Sequence, residues 1–199
     1  MTSTTVDIRR ATPDDARHVG ALHGARISEG FLPTLGPQFL ARLYQRVARS
    51  RHAFALVAER DGAVVGFAAA ATDLGALYRE FLLRDGVRAG VAAAPRLLRS
   101  WRKVWETLRY PSASTELPDA EILAVAVAPG AAGQGIGRAL VGAVLTELRA
   151  RDIDAVKVVA GADNETALRL YRGCGFSSVA HLAVHDGVAS EVLVWSSRS

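Results

Sequence analysis

Residues Ile122–Ala139 read ILAVAVAPGAAGQGIGRA. An apolar run with strand character ends at Pro129-Gly130. It leads through Gly133-Gln134-Gly135-Ile136-Gly137 into a pattern where Ile136, Leu140, Ala143, Val144 and Leu148 recur on one helical face. Glycines at such a strand-to-helix junction let the backbone approach a ligand closely, and the first N–H groups of the helix have no intrahelical acceptor. Those groups lie at the positive end of the helix dipole, a ready cradle for phosphate or pyrophosphate. Two phosphate-binding patterns fail on residues. The dinucleotide pattern G-x-G-x-x-G meets Arg138 at its last position when counted from Gly133, and Leu140 when counted from Gly135. The triphosphate pattern G-x-x-x-x-G-K-[S/T] fits Gly130 and Gly135 but meets Ile136 instead of lysine. Taken alone, the loop is equally readable as a structural turn.

Outward from this stretch the chain alternates strands and helices. Val6–Arg10 reads as a short strand, and Thr12-Pro13 as an N-cap with proline at the first helical position. Ala16, Val19, Ala21, Leu22 and Ala25 follow at near-helical spacing. A second helix opens at Pro37, with Phe39, Leu40, Leu43, Tyr44 and Val47 in one stripe. The apolar runs Ala53–Glu59 and Ala63–Ala71 flank Asp61-Gly62, the signature of a tight β-hairpin. After the glycine loop come a strand at Ala155–Ala160, a helix at Asn164–Cys174, and two closing strands at Phe176–Val184 and Ser190–Trp195. The order is that of one mixed α/β domain.

The 199 residues carry 24 Lys+Arg against 20 Asp+Glu, and half are hydrophobic, which argues against wholesale disorder. The net charge of +4 is uneven: Tyr78–Arg109 carries +5 and the rest of the chain −1. Such a block suits either a polyanion partner or a solvated helix face. Trp101 and Trp105, spaced i, i+4 among leucines, favour a packed helix over a nucleic-acid reader. No apolar run approaches the ~20 residues of a membrane helix, and the N-terminus has no signal-peptide pattern. Cys174 is the only cysteine, and no Cys/His spacing suggests a metal site. A cytoplasmic protein without membrane, metal or nucleic-acid partners is the expectation.

Val127-x-Pro129 followed by Gly133-x-Gly135-Ile136-Gly137-x-Ala139-Leu140 resembles the acetyl-CoA-binding signature of the GNAT superfamily of N-acetyltransferases. A second block, Asn164-x-x-Ala167-x-x-Leu170-Tyr171-x-x-x-Gly175-Phe176, is similar to the superfamily's next block, and IRRATPDDA resembles its first strand and helix entry. The resemblance implies one α/β (α+β) domain over residues 1–199: a mixed, mostly antiparallel sheet flanked by helices, with a helical insertion at 74–118 between strands 3 and 4. It also implies acetyl-CoA as co-substrate and an acetyl transfer to a primary amine by direct attack on the thioester. The acceptor would be a small molecule, or a peptide N-terminus or lysine, and a homodimer is compatible with the pattern.

The resemblance further assigns residues. Val125, Ala126 and Val127 would hold the pantetheine arm, with the Val127 amide polarising the thioester carbonyl. Ala132, Gly133, Gln134, Gly135, Ile136, Gly137 and Arg138 would hold the pyrophosphate, and Asn164 would reach the cofactor. Ala132 stands where the family generally has Gln or Arg. Tyr171 matches the general-acid tyrosine, a phenol able to protonate a departing thiolate; its other reading is a core aromatic in the stripe Ala167, Leu170, Tyr171, Cys174. Glu121, on one strand face with Asp119 if the strand extends that far, is a candidate proton acceptor or an ordinary strand-end charge. Glu29, Phe31 and Leu32, between the first helices, would wall the acceptor pocket. Cys174 reads as a buried packing residue, and His18, His23, His52, His181 and His185 as surface residues. A polyanion-binding module and a CoA-binding scaffold without catalysis are the competing functions.

Overall fold

Alternation of apolar residues sets where each element forms, and the structure, a computed structural model, describes residues 5–27, 32–84, 117–184 and 188–197. In chain order the elements are β1 (Asp7–Arg10), α1 (Ala16–Arg26), α2 (Pro37–Arg49), β2 (Ala53–Arg60), β3 (Ala63–Ala71) and α3 (helical residues 74–84). They continue with β4 (Glu121–Val127), α4 (Ile136–Arg149), β5 (Ala155–Gly161), α5 (Glu165–Gly173), β6 (Ser177–Val184) and β7 (Val188–Ser196). Seven strands form one sheet in the order β1-β2-β3-β4-β5-β7-β6. Every neighbouring pair is antiparallel except β4–β5.

The β2–β3 hairpin turns on Asp61 (φ 53°) and Gly62 (φ 75°), the two left-handed residues a two-residue turn needs to match the strand twist. Helices cover both faces of the sheet. Val19, Tyr44, Val47 and Leu77 of α1–α3 bury against Val57 and Phe67. On the other face Leu140, Val144, Leu148 and Leu168 of α4 and α5 bury against Leu56, Ile122, Val156 and Val158. The expected mixed sheet flanked by helices is therefore formed. Helical residues 74–84 follow β3, and the rest of the expected insertion up to residue 116, with Trp101 and Trp105, lies outside the described residues.

Three details differ from the sequence reading. Thr12-Pro13 opens a short 3-10 turn (Pro13–Asp15) before α1. There the Asp15 carboxylate accepts from the Thr12 amide (2.7 Å) and hydroxyl (3.0 Å) and from both terminal nitrogens of Arg9 (2.8 and 3.0 Å). The Arg9 guanidinium is the main reason the Asp15 carboxyl is held at about 2. In α1 the buried positions are Ala16, Val19, Gly20 and His23, not Ala21 and Ala25, because the helical period runs through 16, 19/20 and 23. His23 is consequently a core residue. It is 3% exposed, its Nδ1 lies 2.6 Å from the Tyr44 hydroxyl, and its ring stacks near Phe67.

Candidate functional site

The glycine loop becomes a site because the sheet opens beside it. β4 and β5 share two register pairs, Glu121↔Lys157 and Ile122↔Val158, whereas β5 and β7 share seven. Beyond Ile122 the β5-facing side of β4 has no strand partner among the described residues. A bulge at Leu123 adds to this: Ala69 opposes Ala124 and Ala70 opposes Ile122, so the alternation shifts by one residue. Ile122 faces α4, and after the bulge Val125 and Val127 take that face while Ala124 and Ala126 turn toward α1 and α2. A cleft of about 570 Å³ opens here, bounded by the end of β4, the start of α4, one side of α5 and the last turn of α1.

The loop's geometry follows from its glycines. Gly133 (φ 75°) and Gly135 (φ 79°) are left-handed, a conformation that L side chains rarely adopt, and both line the cleft. Gly135 is the N-cap of α4, and the first amide to find an intrahelical acceptor is that of Ala139, bonded to the Gly135 carbonyl at 3.0 Å. The amides of Ile136, Gly137 and Arg138 have no intrahelical acceptor, as in any first helical turn. Gly137 packs beside Leu170, where a Cβ would make an ordinary 3.5 Å contact.

The opposite wall is α5. Asn164 caps it by accepting from the Ala167 amide at 3.1 Å, so the cap reading holds, and the same residue lines the cleft. Tyr171 is 5% exposed, packs edge-on against Phe176 and still borders the cleft. Burial, followed by the neighbouring Cys174, pushes its phenol well above the ordinary tyrosine value, so the hydroxyl keeps its proton. Of the stripe Ala167, Leu170, Tyr171 and Cys174, only Tyr171 is fully buried, together with Leu168 outside the stripe, whereas Ala167 and Leu170 are partly buried and line the cleft. Cys174 is half-buried rather than fully packed, and burial raises its thiol above the ordinary value.

Of the residues assigned from sequence, Val125, Ala126, Val127, Ala132, Gly133, Gly135, Ile136, Gly137, Arg138, Asn164 and Tyr171 line this single cleft. Gln134 does not line it; its side chain turns to Arg60 and the Gly130 carbonyl. Glu121 does not line it either. It lies at the β4–β5 branch between Ala120 and Ile122, whose side chains belong to the α4 face, so its own side chain takes the other face. There Glu121 Oε2 is 3.8 Å from Lys157 Nζ, which also donates to the Pro118 carbonyl. Burial raises the Glu121 carboxyl, and Lys157 opposes that shift. Asp119 is exposed and precedes the strand, so the two acids do not share a strand face. Leu32 packs toward Leu43 and Phe81, away from the cleft lining, and Glu29 and Phe31 lie outside the described residues.

The sequence reading missed Arg26, Ile27, Ala131 and Thr166, which also line the cleft. An arginine in the last turn of α1 reads in sequence as a partner of the helix dipole, and nothing local connects it to β4. Among the described residues no group of His, Cys, Asp and Glu is arranged to hold a metal ion, and no helix is long and apolar enough to cross a membrane.

Residues 24–176 match the acetyltransferase (GNAT) family, a span that contains the whole cleft. The chain belongs to the GNAT acetyltransferase family. Among relatives of this GNAT chain, a mycothiol acetyltransferase of Frankia alni is 33% identical over 122 residues, 61% of this chain and 27% of that protein. A mycothiol acetyltransferase of Frankia casuarinae is 42% identical over 77 residues, 38% of this chain and 22% of that protein. The chain thus spans about a quarter of the length of these relatives. The fold resembles Arabidopsis thaliana NAA60 in complex with acetyl-CoA (TM-score 0.65, 19% identity, 98% of this chain and 100% of that one). It also resembles the ribosomal-protein-S18-alanine N-acetyltransferase of Escherichia coli (TM-score 0.62, 15% identity, 96% of this chain and 94% of that one).

Proposed function

We propose that this GNAT domain is an acetyl-CoA-dependent N-acetyltransferase acting on the primary amine of a small molecule. The observation that carries the reading is the convergence of three features on one cleft: the unpaired flank of β4, the amides of the Gly133–Arg138 loop, and the buried Tyr171 phenol. The residues fit the co-substrate. Amides 133–138 and Arg138 suit a pyrophosphate, and Val125, Val127 and Leu170 give apolar walls for a pantetheine arm. Ala132 withholds a side chain from this cradle but leaves its main chain intact. Acetyl-CoA supplies an activated acetyl thioester when bound.

The chain's own residues would then do the rest. The Val127 amide, on the unpaired flank of β4, stabilises negative charge developing on the thioester oxygen. Tyr171, a phenol on the cleft wall that is protonated at neutral pH, delivers a proton to the departing thiolate. Glu121 accepts the amine's proton from the other face of the sheet at the β4–β5 branch. Burial raises its carboxyl, and Lys157 opposes that rise. No acyl-enzyme is needed, and Cys174 takes no part. The relatives named mycothiol acetyltransferase support a small-molecule acceptor, and Arg26 and Ile27, at the α1 end of the cleft, are the proposed acceptor wall.

Calorimetry with acetyl-CoA, followed by a thiol-release assay over a panel of small amines and peptides, tests this reading. Saturable binding with turnover on a small amine is expected. Absence of acetyl-CoA binding refutes it, and binding without turnover on any amine favours the scaffold. Salt-dependent DNA or RNA binding in place of acetyl-CoA binding favours the polyanion module.

A further inference from the structure

The glycine loop is held from a direction its own sequence does not contain. Arg60, the last residue of β2, donates from Nη2 to Gln134 Oε1 at 2.6 Å, and Gln134 Nε2 donates to the Gly130 carbonyl at 3.3 Å. These two bonds span the loop from its entrance to its tip and tie both to the β2–β3 hairpin. The Arg60 Nε–H is buried and has no hydrogen-bond partner among the described residues. Ala132, between Gly130 and Gln134, has no side chain able to brace the loop from within.

We infer that Arg60 is a positioning residue for the co-substrate: through Gln134 it fixes the arc of residues 130–135, so that the loop amides are aimed before any ligand arrives. The inference rests on the acetyl-CoA reading for its ligand, but the brace is a property of the free protein. A loop with two left-handed glycines has many open conformations, and pre-ordering it removes an entropic cost from binding. Arg60 itself touches no reacting atom. Its effect falls on co-substrate affinity and not on the chemical step.

The test compares the wild type with Arg60→Ala, Arg60→Lys and Gln134→Leu, and with the Arg60→Ala/Gln134→Leu double variant. Hydrogen exchange of amides 130–138 in the ligand-free proteins is expected to quicken in both Ala and Leu variants and to recover partly in Arg60→Lys. With acetyl-CoA, KM is expected to rise about threefold, the size of one lost solvent-exposed charge-assisted hydrogen bond, with kcat and the amine KM little changed. The double variant is expected to be no worse than either single one, because both break one link. Unchanged exchange in Arg60→Ala overturns the inference. So does a KM effect of Arg60→Ala that survives undiminished in the Gln134→Leu background, which would mark a direct contact with the ligand. If the wild type binds no acetyl-CoA, the functional reading fails, and the exchange measurement still decides the brace.

Discussion

Lowering the pH from 7 to 5 should destabilise this protein through His23. The ring is 3% exposed, lies between α1, α2 and β3, and has its Nε2 buried with no hydrogen-bond partner among the described residues. Burial lowers its pKa from an ordinary value near 6.5 to about 4. A depressed histidine is neutral in the folded state and takes up a proton first in the unfolded chain. Stability linked to it is therefore full above about pH 6.5, falls as the pH drops, and stops falling near pH 4. With those two values the linkage relation gives a loss of about 2 kcal/mol between pH 7 and pH 5. Urea unfolding of the wild type and His23→Gln at both pH values measures it, because other titrating groups affect both proteins alike. The wild type should lose about 2 kcal/mol more than the variant across that interval. Equal losses would refute the argument and mean that the ring is hydrated or accepts its proton without opening the core.

Three further outcomes follow from particular contacts. Tyr171→Phe should lower kcat about 100-fold while changing the acetyl-CoA KM little, since the phenol is proposed to act only as the thiolate departs; unchanged turnover removes it from the mechanism. Gly135→Val should raise the acetyl-CoA KM and lower stability by about 1–3 kcal/mol, because a β-branched side chain is strained at φ 79°; chemical denaturation and steady-state kinetics read the two effects. Asp15→Asn removes the acceptor shared by Arg9 and Thr12, and with Arg9 partly exposed the screened cost should be about 1 kcal/mol at pH 7. Because the Asp15 carboxyl is lowered to about 2, that contribution is present above about pH 4 and disappears as pH falls toward 2, so wild type and variant should converge there.

Much of the fold was legible because it depends on local rules, and most of the cleft lining because the resemblance rests on such local motifs. The Asp61-Gly62 turn, the α4 face of Ile136, Leu140, Val144 and Leu148, and the glycines at positions 133 and 135 are each set by backbone conformations that few residues satisfy. The residues whose settings the sequence did not show are those whose surroundings come from distant parts of the chain. His23 has no partner nearby in sequence, yet Tyr44, 21 residues away, meets it because α1 and α2 pack together. Glu121 looks like a strand-end charge until β5 brings Lys157 beside it. Gln134 sits inside the loop motif, but Arg60, 74 residues earlier, turns its side chain away from the cleft.

The sequence by itself determined the order of strands and helices, the loop conformation and the resemblance to the GNAT acetyltransferases, since periodicity and glycine placement act over a few residues. Tertiary structure alone decided where the sheet opens, which face each β4 residue takes after the Leu123 bulge, and how the last turn of α1 closes the cleft with Arg26 and Ile27. Those features arise from strand registers and helix packing between residues far apart in the chain, and no local pattern encodes them.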